Sequence, residues 1–199
     1  MDYRQIFTWI VALVALELIF LAVISKRHVQ ALLLQGARIV DASGMGLLNI
    51  LLRSAWIVSM LCEVWLLQRN FSLSFAIAAA LVSVLALALR LASMHALGQR
   101  WTLPTTVVPG RPRVRTGIFA HIRHPNWLGV CMEIISIPML HMAYISASVF
   151  FILEVLLLRT RIKIEVRALE QAEVPTAAAI AKPGEMPVCV IGAGAAGLA

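Results

Sequence analysis

The stretch GIFAHIRHPNWLGV, residues 117–130, gathers His121, Arg123, His124 and Pro125 where a long apolar run begins. Pro125 suits the first turn of a helix, where its missing N–H has no intrahelical acceptor to lose. A helix start of this kind exposes free N–H donors and the positive end of the helix dipole, which favours a carboxylate or a phosphate. Arg111, Arg113 and Arg115 add positive charge just upstream. A second polar group, RTRIKIEVRAL at 159–169, carries Arg161 and Glu165, which share a helix face because they lie four residues apart. These residues can bind an anionic, nucleotide-like ligand, or they can meet lipid headgroups as a basic belt. Residue types alone leave both open.

The elements that must position these groups are membrane helices. The 199-residue chain is 61% hydrophobic and 14% charged, far from a soluble composition of roughly 45–50% and about 25%. Apolar runs of about 20 residues are long enough to cross a bilayer. We read five spans: 6–24, 47–67, about 73–92, 126–141 and 143–158. The last two come from one block that is too long for a single span and is broken by IPMLHMAY, where Pro138 removes a helix hydrogen bond. The first run ends in Lys26-Arg27 without a small-residue cleavage site, so it is read as a retained span. The expected fold is an all-α, multi-pass membrane helix bundle.

Five spans put the 25–46 loop, the 93–125 loop and the C-terminal tail on one side, and assigning basic residues to the nearest span end places 15 of the 17 Lys and Arg residues there. The positive-inside rule makes that side cytoplasmic and the N-terminus external. The net charge of +7 is thus a topology signal and calls for no nucleic-acid partner. The 93–125 segment, with Pro104, Pro109 and Pro112 among glycines, is expected to be irregular and turn-rich. Cys62, Cys131 and Cys189 show neither metal-ligand nor disulfide spacing, and no metal is expected.

Four glutamates fall inside the spans: Glu17, Glu63, Glu133 and Glu154. Ionisable groups at membrane depth are costly and mark functional candidates, although each can also reach the interface or bond a neighbouring helix. Glu17, Glu133 and Glu154 lie in the cytoplasmic half, Glu63 near the outer face. Glu133, close beyond the histidine cluster, is the strongest candidate.

The pair TGIFAHIRHPNWLG and RTRIKIEVRAL, separated by a helical hairpin, resembles the isoprenylcysteine carboxyl methyltransferase family over about residues 93–170. The family pattern is a glycine and an aromatic, then Arg-His-Pro-x-Tyr-x-Gly, and later Arg-x-x-x-Glu-Glu-x-x-Leu. The resemblance implies an S-adenosylmethionine site formed by Arg113, Val114, Phe119, His124, Pro125, Trp127 and Glu165. It also implies that Arg161 faces the substrate. Trp127 and Phe119 stand where the family has tyrosines, and Val166 replaces the second glutamate.

The implied reaction is methyl transfer from S-adenosylmethionine to a carboxyl or acidic hydroxyl oxygen of a lipophilic acceptor, either prenylcysteine-like or a polyketide-type lipid. Arg161 and Glu133 are the candidate catalytic residues: Arg161 orients the nucleophile and Glu133 holds a neighbouring hydroxyl. The acceptor comes laterally from the bilayer and the cofactor from the cytoplasm, at the plasma membrane if the source is bacterial. Phospholipid N-methylation, a sterol-type reduction and a non-catalytic anchor remain alternatives.

Domain boundaries follow: a membrane methyltransferase domain at 1–170, a linker at 171–187, and 188–199. The closing PVCVIGAGAAGLA reads as a strand and the glycine turn Gly192, Gly194, Gly197 of an incomplete dinucleotide-binding unit. A fused or adjacent flavoprotein is the partner it suggests.

Overall fold

In the computed structural model, residues 2–40, 44–108, 114 and 116–173 are described, with only the backbone of Glu165 and 168–173. Arg113, the linker from residue 174 and the glycine motif at 188–199 lie outside the described residues. Five helices make up the bundle: α1 (Tyr3–Leu33), α2 (Met45–Leu66), α3 (Leu73–Leu97), α4 (Pro125–Met139) and α5 (Tyr144–Glu173). The protein is an all-α membrane helix bundle. By length and apolarity, α1, α2 and the α3 segment qualify as membrane spans. Their outer faces carry Trp9, Leu13, Leu16, Leu48, Leu51, Leu81 and Val84, all exposed, as lipid-facing surfaces require.

The expected break at Pro138 is present. α4 ends one residue later, and the Pro138 carbonyl accepts from the N–H groups of His141 and Ala143. Met142 adopts φ +57° and turns the chain into α5. α4 is the central helix. Val130, Ile134 and Ile137 pack with Phe7, Val11 and Val14 of α1, Trp56, Met60 and Val64 of α2, and Ala143 and Phe150 at the start of the α5 arm.

In lipid the helices gain little from apolar burial against one another, so close packing and interhelical hydrogen bonds hold them. The α3–α4 contact shows this most clearly. A Cβ on Gly129 would sit 2.8 Å from the Ala86 carbonyl oxygen and 2.8 Å from Arg90 Cγ. Only glycine allows the two helices to approach this closely. Ser83 on α3 also donates to Ser136 on α4 at 2.8 Å.

Three features differ from the sequence reading. Five spans were expected, but among the described residues α4, with 15 residues, and α5 do not join the helices long and apolar enough to cross a membrane. α1 continues nine residues past Ile24, and the residues after it form a two-residue strand, β1 (Arg38–Ile39). β1 pairs antiparallel with β2 (Thr106–Val107), Arg38 opposite Val107. A small sheet therefore ties the long 93–125 connection to the end of α1.

Candidate functional site

The cavity at the loop-bearing end grows from three pieces of chain. α4 supplies its floor, starting at Pro125 in the first helical position after His124, whose non-helical backbone (φ −133°, ψ 62°) marks the helix start. The α5 arm contributes Arg161 and Val166. Segment 100–108 forms the roof, and it is fastened at several points. Ser25 Oγ accepts from the Leu103 N–H at 2.8 Å, and His28 Nδ1 donates to the Trp101 carbonyl at 2.8 Å. The Val40 N–H reaches the Thr105 carbonyl at 2.8 Å. The Arg161 guanidinium donates to the Leu103 carbonyl and lies 4.8 Å from the centre of the Trp127 ring. One side chain thereby joins roof, floor and α5.

The volume of this open cavity is about 900 Å³. Val114, Phe119, His124, Pro125, Trp127 and Arg161, all singled out from sequence, line it together. Further polar lining comes from Arg100, Thr102, His121, Arg123 and Asn126. Glu165 lies on α5 within one turn of Arg161, and Arg113 lies outside the described residues. Glu133 is elsewhere. It sits six residues beyond Trp127 on α4, about 9 Å deeper along the axis.

There Glu133 belongs to a buried ion cluster. Arg90 of α3 donates through Nη1 to Glu133 Oε2, and the same nitrogen lies 3.1 Å from Glu17 Oε1 on α1. A second buried pair joins Arg53 to Glu154 at 3.7 Å. At the opposite end of the bundle, Glu63 accepts from the N–H groups of Ile145 and Ser146 at 3.1 and 2.7 Å, and from Ser146 Oγ at 2.8 Å. Arg69 completes its shell at 3.0 Å. Glu63 thus caps the start of α5, satisfying N–H groups that no helix can satisfy internally.

Reading the sequence for carboxylates missed their partners. Arg53 and Arg90 both fall inside apolar spans, and a cation there demands an anion. The roof fastenings were missed too. Their signal is the spacing Leu21, Ser25, Leu32, which continues the buried stripe of α1 at helical period beyond the membrane run, with the half-buried His28 on the same face.

The model of the isoprenylcysteine carboxyl methyltransferase family matches residues 77–171, from α3 through the described part of α5. The chain is also similar to the uncharacterized protein YpbQ of Bacillus subtilis (strain 168). The two are 35% identical over 118 residues, which is 59% of this chain and 69% of that protein. No solved structure matches the chain.

Proposed function

The chain belongs to the isoprenylcysteine carboxyl methyltransferase family and is a membrane methyltransferase; from that premise we propose S-adenosylmethionine as donor and a lipophilic oxygen acid as acceptor. The observation that carries this reading is the single cavity shared by His124, Pro125, Trp127, Phe119 and Arg161. Its volume of about 900 Å³ falls within the roughly 300–1,000 Å³ of small-molecule sites.

The lining fits the cofactor chemically. The first-turn N–H groups of α4, with Arg123 close by, suit the cofactor carboxylate. Trp127 and Phe119 offer aromatic faces for the adenine ring or the sulfonium. Asn126 Oδ1 is buried and has no hydrogen-bond partner among the described residues, so it can accept from an amino group. Glu165 is the proposed partner of the cofactor ammonium. When bound, S-adenosylmethionine supplies an electrophilic methyl group on a sulfonium.

The chain's own contribution is placement. Displacement at carbon requires nucleophile, methyl and sulfur in line, and holding that alignment is the main catalytic term. Arg161, held by Leu103 and Trp127, presents fixed positive charge to a carboxylate or an ionised enol. Such an acceptor reaches the site already deprotonated and needs little general-base assistance. The roof of residues 100–108 covers one side of the site. The basic loops put this end of the bundle on the cytoplasmic side.

The test is titration of purified protein in detergent with S-adenosylmethionine, followed by methylation of lipid extracts. Binding at sub-millimolar concentration that is lost in His124→Ala supports the reading. Absence of binding by the wild type sinks it and favours an anchor, and indifference of binding to His124→Ala removes the cofactor from this cavity.

A further inference from the structure

A second cavity, of about 200 Å³, lies halfway down the bundle between α1 and α3, with α4 behind it. Val14 and Glu17 come from α1, Val84, Leu87 and Arg90 from α3, and Glu133 from α4. Val84 and Leu87 are 66% and 43% exposed, so the opening faces the lipid. Three facts make its inner wall unusual for a membrane interior. Two carboxylates face one guanidinium, which leaves the cluster one positive charge short of balance when both are ionised. Glu133 is 5% exposed, yet its Oε1 has no hydrogen-bond partner among the described residues. Glu17 keeps about a third of its side chain accessible.

An unfilled acceptor at this depth is expensive, because the surrounding hydrocarbon offers nothing to bond. A protonated amine meets both deficits at once, and a neutral hydroxyl meets the unfilled acceptor, whereas charge without a donor leaves that acceptor open. An anion meets neither. We propose that this cleft is a lipid-accessible recognition site for a hydrogen-bond-donating group, a hydroxyl or a protonated amine, on the lipophilic acceptor. The inference rests on the methyl-transfer reading and narrows its substrate. The acceptor carries its donor group roughly 9 Å deeper in the membrane than the atom methylated beside Trp127, the axial distance between residues 127 and 133.

The experiment uses the full chain in phosphatidylcholine nanodiscs, with binding of four probes measured by native mass spectrometry titration: dodecanol, dodecylamine, dodecyltrimethylammonium and dodecane. The first two are expected to bind wild type and the last two are not. Binding of the alcohol alone identifies a hydroxyl, and binding of the amine alone identifies an ammonium. Glu133→Gln should weaken the donor probes about tenfold, the ratio that loss of one charge-assisted hydrogen bond produces. Leu87→Trp fills the mouth from the lipid side and leaves the ion-cluster residues unsubstituted, and should do the same if Glu133→Gln does not fold. Equal binding of all four probes, or donor-probe binding unchanged in the folded variants, overturns the proposal. S-adenosylmethionine titration of the same samples separates the two readings. If wild type binds the cofactor but shows no preference for donor probes, the cleft assignment alone fails. If donor probes bind and the cofactor does not, the methyl-transfer reading fails and the acceptor assignment with it.

Discussion

Glu63 and Glu133 are both carboxylates inside apolar helices, and both are 5% exposed, yet they are solvated by the protein in opposite ways. Glu63 has two backbone N–H donors, a hydroxyl and an arginine around it. It has the full complement of a capped helix end, and Arg69 is further held by the Tyr144 hydroxyl at 2.6 Å. Glu133 shares one nitrogen of Arg90 with Glu17 and leaves an oxygen unbonded. Depth alone cannot tell a structural carboxylate from one held for a ligand. Remaining bonding capacity can.

The largest expected effect lies on the Glu63 side. Glu63→Ala removes the cap of α5 and leaves Arg69 unpaired near the end of α2. Breaking a buried pair of this kind costs about 3–5 kcal/mol. Unfolding in mixed micelles should show that loss, with cofactor affinity unchanged in whatever fraction remains folded. A loss below about 1 kcal/mol, the usual worth of an exposed pair, would erase the contrast drawn above.

Gly129 tests the scaffold shared by the ion cluster and the cavity. Gly129→Ala places a methyl 2.8 Å from both the Ala86 carbonyl and Arg90 Cγ, so α3 must move away or Arg90 must swing. Overpacking of this sort costs about 1–3 kcal/mol. Because Arg90 is the displaced neighbour, donor-probe binding in the cleft should fall along with stability. A stable Gly129→Ala protein with an intact cleft would mean that α3 and α4 are not held at this distance.

Glu133→Gln should cost less stability than Glu63→Ala, about 1–2 kcal/mol, because the amide oxygen still accepts from Arg90 and one hydrogen bond is weakened rather than a shell dismantled. The same unfolding assay checks it. Equal losses in the two variants would return Glu133 to a purely structural role.

Much of this was legible in the sequence because it depends on local signals. Apolar run length gave all five helices, Pro138 marked the hairpin, and the spacing of His124, Trp127 and Arg161 brought them to one cavity. What was not legible depends on which helix faces which. Glu17, Arg90 and Glu133 lie far apart along the chain, and their meeting follows from how α1 and α3 lie on α4, which no local pattern encodes. Glu133 was expected beside the reacting oxygen and lies about 9 Å deeper, because six residues of helix separate it from Trp127. The β1–β2 pairing was invisible for a simpler reason: two-residue strands have no periodicity to read.

The roof offers the finest test, because its fastenings are small and numerous. His28 contributes one hydrogen bond, to the Trp101 carbonyl, and His28→Ala should cost only about 0.5–1.5 kcal/mol. That loss is spread over a segment also held by Ser25, Val40 and Arg161, so global unfolding should barely register it. The loosened roof lies over the large cavity and far from the cleft. On the functional reading above, S-adenosylmethionine affinity should therefore drop a few-fold, in proportion to the roof's loss, while donor-probe binding beside Glu133 stays at the wild-type level. If both fell together, the two cavities would act as one coupled chamber, and the comparison between a cofactor end and a lipid-facing cleft would have to be redrawn around α1, α3 and α4, which line both.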